Sequence, residues 1–342
     1  MDLTYGYEVS KNDPIVGALD EAADMLAQAV FPGAMAVNAL PALQYLPEWL
    51  PGMHFKAYGH KCRLLMDEIM QVPLASVQRK MAAGTARPSN IGSMLKENNG
   101  DLDGMDLVKK VGLSMYAAMT DTTSMGITVA VHAFLLHPDV QRRAQDELDV
   151  VVGRDRLPSF ADRDTLPYVN AIVREVVRWK PVLPLGFPRI AIQDDIYDGK
   201  LIPKGAMILP NAWAMLHDAE KYPKPEIFSP NRFLNKDGEL IDDEVTPAFG
   251  FGRRICPGRH AAMSSLFINI ACMLSVFSLQ PKKNERGEDL PVNVTYADGL
   301  SSRPSSFECK FVPRDQAADN VLGKFADDDA HPAKVPAPDT MT

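Results

Sequence analysis

The sequence predicts a mainly α-helical protein with small β-sheets. Long segments carry apolar side chains at the three-to-four-residue spacing of a helix, and the longest of them runs from Leu107 to Leu136. Most of the 27 prolines fall between these segments, which indicates many helices joined by ordered loops. Alternating residues from Arg189 to Leu209, with a turn at Asp198 and Gly199, indicate a pair of strands.

Length and composition exclude several classes of protein. The chain has 342 residues, enough for one large core, and 46% of them are apolar against 23% charged. A net charge of −8 argues against nucleic acid as a partner. The four cysteines form no C-x-x-C pair, so a reducing compartment and no disulfide framework are expected. Neither a signal peptide nor an uninterrupted apolar run of about 18 residues is visible, so no membrane span is expected.

The order of the patterns gives the domain organisation. Residues 294–313 are expected to form a terminal hairpin. From Asp315 the chain becomes acidic and rich in small residues, so residues 315–342 are expected to be a disordered tail after a folded domain of residues 1–314. Helical patterns before that tail, besides the longest one, cover Asp13 to Leu26, His54 to Lys80, Val140 to Val152, Tyr168 to Trp179 and Arg259 to Leu279.

The segment Phe249–Gly258 carries the strongest chemical signal. It places one cysteine, Cys256, on a glycine-rich loop before a long apolar run. Gly252 and Gly258 lack a Cβ, so the backbone can wrap the sulfur closely and its N–H groups can steady the thiolate charge. A thiolate held in this way is a good axial ligand for haem iron, because it pushes electron density onto the metal. The alternative is a buried structural cysteine on a glycine-rich turn.

Phe249, Gly252, Arg254, Cys256 and Gly258 form the spacing F-x-x-G-x-R-x-C-x-G. With this spacing the loop resembles the haem-ligand loop of the cytochrome P450 family. The resemblance implies the P450 fold, haem b (iron protoporphyrin IX) as cofactor, and Cys256 as the ligand of its iron. By the same resemblance, Arg254 and Arg189 would bind the haem propionates, and Phe249 would shield the site. The alternative for Arg189 is a solvated arginine at the start of a strand.

The longest helical pattern contains a threonine beside a carboxylate, Asp121-Thr122. Such a pair in an apolar helix can relay protons to a bound oxygen, but a helical threonine more commonly bonds the carbonyl four residues back, here that of Ala118. The segment resembles the oxygen-activating helix of P450s, which implies that Asp121 and Thr122 are catalytic. Met119 stands where the family has glycine. A bulky helix former is expected to oppose the local opening of the helix there.

The helix from Tyr168 to Trp179 carries Glu175 and Arg178 in an E-x-x-R pattern. This spacing puts both side chains on one side of the helix. A surface ion pair of this kind contributes little, whereas a pair inside an otherwise apolar helix must be satisfied by partners. The family has this pattern together with an F-x-P-x-R-F segment, which matches at residues 228–233. The resemblance therefore implies a buried network of Glu175, Arg178 and Arg232.

The resemblance covers about Leu3 to Pro313, and fungal members of the family look most similar. It implies a monooxygenase that inserts one oxygen atom from O2 into an apolar organic substrate in secondary or xenobiotic metabolism. Electrons would come from NADPH–cytochrome P450 reductase docking near Arg253, Arg254 and Arg259. The residues that would line the substrate pocket are Val111, Met115, Ala118, Met119, Val182, Leu183 and Leu300.

The start of the chain leaves other functions open. In the family a membrane anchor, an N-terminal sheet and a substrate-capping loop precede the part that Met1 begins, so the fold is expected to be incomplete at the N-terminus. A truncated, non-catalytic haem-binding fragment is therefore one alternative, and an isomerase or dehydratase that needs no oxygen, suggested by Met119, is another. Family members are anchored in the endoplasmic reticulum membrane. Without an anchor this chain would be cytoplasmic or peripheral.

Overall fold

A computed structural model describes residues 1–10, 13–29, 35–98 and 101–330. The chain divides into two compact units. The first comprises Met1–Ser124 with Asp298–Ser301, and the second comprises Met125–Ala297 with Ser302–Thr342. Most of the elements are helices, and the strands form small two-stranded antiparallel sheets. The predicted fold class, mainly α-helical with small β-sheets, is therefore confirmed.

The first unit is built from helices. Asp13 begins the second of them: its carboxylate accepts the N–H of Ile15 at 3.0 Å, so an N–H that the helix leaves unpaired is satisfied. Ser89 caps a later helix in the same way, through the N–H of Gly92. A single core cluster is formed by residues that include Leu19, Ile69 and Tyr116. The helices are α1 (Asp2–Tyr5), α2 (Pro14–Ala29), α3 (Ala36–Ala39), α4 (His54–Ala82), α5 (Asn90–Glu97) and the beginning of α6 (Leu102–Leu136).

In its described residues the second unit contains the end of α6 and five further α-helices. They are α7 (Pro138–Val151), α8 (Pro167–Trp179), α9 (Ala212–Leu216), α10 (Arg259–Val276) and α11 (Gln316–Ala330). The largest core cluster is contributed mainly by α6, α7, α8 and α10. Glu147 of α7 accepts the N–H groups of Tyr168 and Val169, both at 2.9 Å, and so fixes the start of α8 against α7.

Helix α10 has the length and composition of a membrane span, with a mean hydropathy of 1.2. No other helix in the described part of the chain meets that test. Its side chains Leu266, Phe267, Ile270 and Leu274 are buried in the core of the second unit, and the helix packs against α7 and α8. One third of the segment is buried in this way.

The described part of the second unit also has three short antiparallel pairs of strands. Strand β1 (Arg189–Ile190) pairs with β4 (Met207–Ile208), and β2 (Asp195–Tyr197) pairs with β3 (Lys200–Ile202). The region expected to form one pair of strands therefore forms two. Strand β5 (Phe277–Pro281) follows α10 directly and pairs with β6 (Cys309–Pro313). The expected terminal hairpin is correspondingly shorter, with Tyr296 bridged to Pro304.

The end of the chain differs from the expected disordered tail. Residues Gln316–Ala330 form helix α11, and its Ala318 and Val321 are buried with Val276. Asp315 caps this helix by accepting the N–H of Ala318 at 3.0 Å. A small apolar stripe and one capping carboxylate thus give this acidic segment a packed helix. Residues 331–342 lie outside the described part of the chain.

Candidate active site

Cys256 lies in the second unit, on the loop that leads into α10. Its backbone N–H donates to the carbonyl oxygen of Phe249 at 2.8 Å, which closes the loop. Its carbonyl oxygen accepts from the backbone N–H and from Nη1 of Arg259, each at 3.4 Å. The cysteine is therefore fixed on both sides, by a turn of 3₁₀ helix over Thr246–Phe249 and by the first residue of α10.

Glycines allow the cysteine loop to turn. The sequence indicated Gly252 and Gly258 for this role, but the structure requires glycine at only the first of these two positions. Gly252 has φ +55°, the left-handed conformation that favours glycine. Gly258 has an ordinary φ of −83°, and a Cβ there would be at 3.8 Å from the Sγ of Cys256, so its backbone does not require glycine. Gly250, which the sequence analysis missed, has φ 85° and ψ −162°. That region is essentially closed to residues with a Cβ.

The sulfur of Cys256 has no partner within the described residues. No hydrogen bond among them ends on Sγ, and the cysteine is not in a disulfide. The N–H groups of the loop were expected to steady the thiolate, but that of Cys256 itself bonds Phe249. The side chain is half-buried. The loop thus presents a thiol that is held by its backbone and can accept a metal.

Two arginines of the second unit are free to bind carboxylates. Arg254 follows the glycine turn, and Arg189 begins β1 opposite Ile208. Both residues are exposed, and neither makes a hydrogen bond or ion pair through its side chain in the part of the chain that the structure describes. Unpaired arginines in a protein with a net charge of −8 suit an anionic ligand.

The segment between α8 and β1 holds two candidate pocket residues, Val182 and Leu183. Both are half-buried. The carbonyl of Val182 accepts the N–H of Ser302 at 2.8 Å, and the carbonyl of Leu183 accepts the N–H of Gly186 at 3.0 Å. Gly186 has φ +55°, and a Cβ there would be only 2.7 Å from Cγ of Pro210. These contacts fix the segment in place.

Glu175, Arg178 and Arg232 form a network inside the second unit. Arg178 and Glu175 are completely buried and share two hydrogen bonds, Nε to Oε2 at 2.7 Å and Nη2 to Oε1 at 2.9 Å. Nε of Arg232 is 3.1 Å from Oε2 of Glu175. The N–H of Ser229 donates to Oε1 at 2.7 Å. The structure therefore brings together the three side chains that the sequence pattern associated.

The remaining donors of both arginines bind backbone carbonyls. Arg178 donates to the carbonyls of Leu216 and Pro225, at 2.9 and 2.8 Å. Arg232 donates to those of Pro223 and Ile227, at 3.1 and 3.0 Å. Buried charges need this degree of satisfaction. The network fastens the long irregular segment between α9 and the cysteine loop onto α8.

The candidate proton-relay residues lie on α6 within the first unit. The hydroxyl of Thr122 donates to the carbonyl of Ala118 at 2.6 Å, which is the ordinary helical alternative to a relay. Helix α6 is continuous through Met119 and Asp121. Among the candidate pocket residues of this unit Ala118 is exposed, and the half-buried ones are Val111, Met115, Met119 and Leu300.

A buried histidine that the sequence did not single out lies near the end of α6, in the second unit. Nδ1 of His132 is 2.8 Å from the hydroxyl of Tyr296, and its ring lies 5.6 Å from that of Trp179. Burial, reinforced by the charges of Lys180 and His137, lowers the pKa of His132 from 6.5 to about 4. The histidine is therefore neutral in the folded protein at neutral pH.

Comparison with known proteins identifies the family. The cytochrome P450 family model matches residues 1–311. The chain is 38% identical to cytochrome P450 monooxygenase 98 of Postia placenta over 94% of this chain and 64% of that protein. It is 42% identical to cytochrome P450 monooxygenase 208 of the same fungus, over 94% of this chain and 63% of that protein. It is 36% identical to tryptamine 4-monooxygenase of Psilocybe cyanescens, over 92% of this chain and 64% of that protein.

The chain belongs to the cytochrome P450 family, as the motif around Cys256 predicted. Membership of this family implies a haem cofactor. The chain spans about three fifths of the length of the curated relatives it matches.

Proposed function

We propose that this chain is part of a haem-thiolate monooxygenase that inserts one oxygen atom from O2 into an apolar organic substrate. The observation that carries the proposal is the Cys256 loop, which holds a thiol through its backbone and leaves Sγ without a hydrogen bond in the described part of the chain. The relatives named above are called monooxygenases, and all come from fungi. Fungal secondary metabolism is the setting that fits them.

The residues of the second unit fit haem b. The sulfur of Cys256 would hold the iron, and the unpaired guanidinium groups of Arg254 and Arg189 would bind the two propionates. The ring of Phe249, half-buried in the same loop, is the aromatic group that would shield the site. When bound, haem supplies the activation of O2.

Residues of the first unit handle protons and substrate in this proposal. The hydroxyl of Thr122 would give its proton towards the oxygen substrate while its oxygen takes a proton from the Asp121 carboxyl group, so that the hydroxyl is restored. That hydroxyl must first turn away from the carbonyl of Ala118, its acceptor in the structure. Met119 keeps α6 regular beside this pair. Val111, Met115 and Leu300 contribute apolar surface for the substrate.

Electrons come from a flavoprotein in this proposal. A reductase of the NADPH–cytochrome P450 type docks near Arg253, which is exposed in the cysteine loop beside Arg254, and near Arg259 at the start of α10. Arg253 is the docking charge of the loop, since Arg254 is assigned to a propionate. Arg253 and Arg254 are exposed, and no acidic side chain in the described residues pairs with them. Surface charge of this kind steers an oppositely charged partner and makes the association rate depend on salt.

The test is the substitution Cys256→Ser. The purified protein is loaded with haem b, reduced and exposed to carbon monoxide, and the Soret band is recorded. The parent chain is expected to give the shifted band of a thiolate-ligated haem, and the serine variant to lose it, because a hydroxyl does not replace the thiolate ligand.

Cys62→Ser is the matched control. Cys62 is a half-buried cysteine of α4 in the first unit, outside the cysteine loop of the sequence motif, and its substitution is expected to leave the band unchanged. A shifted band that survives in the Cys256 variant contradicts the ligand assignment. Failure of the parent chain to retain haem contradicts the proposed activity for this polypeptide.

A further inference from the structure

A cavity of about 290 Å³ lies behind the cysteine loop in the second unit. Phe249 and Ile255 of the loop form part of its wall. One liquid water occupies about 30 Å³, so the cavity can hold a small ion together with several waters. Most of its other lining side chains are basic or polar, and they include Arg163, Arg174, Arg259, His260 and Ser264. Glu244 is the acidic residue among the described lining residues.

Arg163 is held with part of its guanidinium group unused. Its Nε donates to Oδ1 of Asn170 at 3.1 Å, and its Nη1 donates to Oγ of Ser264 at 2.8 Å. The guanidinium also lies over the ring of Phe267, 5.4 Å from its centroid. Its Nη2 has no acceptor among the described residues. The group is thus oriented in advance for one more acceptor.

Arg174 is a half-buried cation that no carboxylate pairs with in the described part of the chain. It donates through Nη1 to the carbonyl of Ile241. Burial lowers its pKa, as does the nearby Arg163, whereas Glu244, Asp243 and Asp242 act in the opposite direction. Asp243 is itself engaged by Lys221 and by the hydroxyl of Tyr222. The Nε and Nη2 groups of Arg174 therefore remain available to a ligand.

The start of α10 adds positive potential to the same cavity. Its first turn carries Arg259 and His260 and no acidic residue, and its N-cap residue is Gly258, which has no side chain to accept an N–H. Basic residues at the positive end of a helix are unfavourable, whereas an anion there is stabilised. Helix α10 therefore lacks a negative group on the side where the cavity lies.

We propose that this cavity is a binding site for a phosphate-type oxyanion. Arg163 and Arg174 supply guanidinium N–H groups, and the start of α10 supplies the positive end of a helix. A tetrahedral dianion accepts hydrogen bonds from several directions, which suits donors that come from separate elements. The anion is either free phosphate or the phosphoryl group of a larger molecule.

Two residues that line the cavity are hydrogen-bonded to the backbone of Cys256. Arg259 lines the cavity and donates to the carbonyl of Cys256, and Phe249 accepts the N–H of Cys256. A bound phosphate therefore contacts the residues that hold the cysteine backbone. The site is distinct from the arginines assigned to the haem propionates, Arg189 and Arg254, neither of which lines the cavity.

The experiment titrates inorganic phosphate into the purified protein by calorimetry, with chloride keeping the ionic strength constant. The parent chain is expected to bind phosphate at one saturable site. Arg174→Gln is expected to weaken binding by about tenfold or more, since it removes a charge-assisted hydrogen bond. The titration needs neither haem nor turnover, so its outcome is independent of the Cys256 test.

Two further variants make the result specific. Arg142→Gln removes an exposed arginine of α7 that does not line the cavity, and it is expected to leave the affinity unchanged. Glu244→Gln removes the acidic lining residue, and it is expected to tighten binding about threefold because Glu244 is exposed and partly screened. The phosphate affinity of the Glu244→Gln variant tests the proposed site even if Arg174→Gln does not fold.

A phosphate monoester, O-phosphoethanolamine, distinguishes the two sources. Binding at a similar strength assigns the site to the phosphoryl group of a larger molecule, whereas its exclusion assigns the site to free phosphate. The proposal is overturned if the parent chain shows no saturable phosphate binding. It is also overturned if Glu244→Gln does not tighten binding, or if Arg142→Gln weakens it as much as Arg174→Gln does.

Discussion

His132 is a residue whose charge state depends on folding. Its pKa is about 4 in the folded protein, below the ordinary 6.5, so the unfolded chain binds a proton over the intervening pH range and the folded chain does not. Stability is therefore lost as the pH falls from 6.5 towards 4. Between about pH 7 and about pH 5 we expect a loss of roughly 1–2 kcal/mol from this residue, measured by urea unfolding at both pH values.

His132→Gln isolates this effect. Glutamine keeps a group that can bond the hydroxyl of Tyr296 but does not titrate. The variant is expected to lose less stability than the parent chain over the same interval. The pKa values of His137 and His217 are also lowered by burial, so part of the loss is expected to remain in the variant. Equal losses in parent and variant would contradict the assignment.

Some functional residues could be predicted from the sequence and others could not. Cys256, Arg254 and Glu175 could be found because a spacing rule connects each to neighbours in the chain. Gly250 could not, since the need for glycine arises from its φ of 85° and ψ of −162°, which no spacing reveals. Thr122 carried two interpretations in the sequence, and the structure has its hydroxyl on the carbonyl of Ala118. A hydroxyl with a backbone acceptor four residues away takes it by default.

At the scale of elements, Glu175 connects α8 to the segment after α9. Glu175→Gln removes the charge that Arg178 and Arg232 share, and Arg178 is completely buried. An uncompensated buried cation is costly, so we expect the free energy of unfolding to fall by about 3–5 kcal/mol. Urea unfolding followed by circular dichroism measures the loss.

Glu308→Gln is the control for that substitution. Glu308 accepts from Nζ of Lys282 at 2.8 Å, but its side chain is 71% exposed. Ion pairs in such positions contribute about 0–1 kcal/mol, so little change is expected. A loss for Glu175→Gln no larger than that for Glu308→Gln would show that the network does not stabilise the fold.

Helix α11 is the element that composition concealed. Its acidic, small residues are typical of a disordered tail, yet Val321 is only 4% exposed. Val321→Asp places a charge in that buried position, and we expect a loss of roughly 2–3 kcal/mol. Thermal unfolding of the whole chain reports it.

Asn320→Asp makes the same charge change at the neighbouring exposed position of α11. It is expected to alter stability by less than about 0.5 kcal/mol. Equal effects of the two substitutions would support the disordered tail that the sequence suggested. A short apolar stripe was too weak a signal to outweigh the composition of the segment.

At the scale of the whole molecule, the mainly helical class could be predicted and the pairing of strands could not. Helical periodicity is local, so α4, α6, α8 and α10 appeared in the sequence within a few residues of their bounds. Strand β6 pairs with β5, which ends 28 residues earlier at Pro281, rather than with the segment just before it. That partner is chosen by packing against α10 and the core, which the sequence of one strand does not contain.

In the candidate site, too, local patterns could be predicted and long-range contacts could not. The sequence indicated the ligand cysteine and the Glu175 network, because motifs fix residues close together in the chain. It did not indicate the cavity behind the loop, whose Arg163, Arg174 and Arg259 come from three separate stretches. Their association depends on the packing of α8 against α10.

The bonds between Asp149 and Arg314 have a consequence for synthesis of the chain. Arg314 donates to both carboxylate oxygens of Asp149, at 2.8 and 2.7 Å, across 165 residues. A ribosome adds about 5–20 residues per second, so Arg314 is synthesised roughly 10–30 s after Asp149. By then α7, α8 and α10 have all been made. This ion pair therefore can form only after the helices that it joins to the end of the domain have been synthesised.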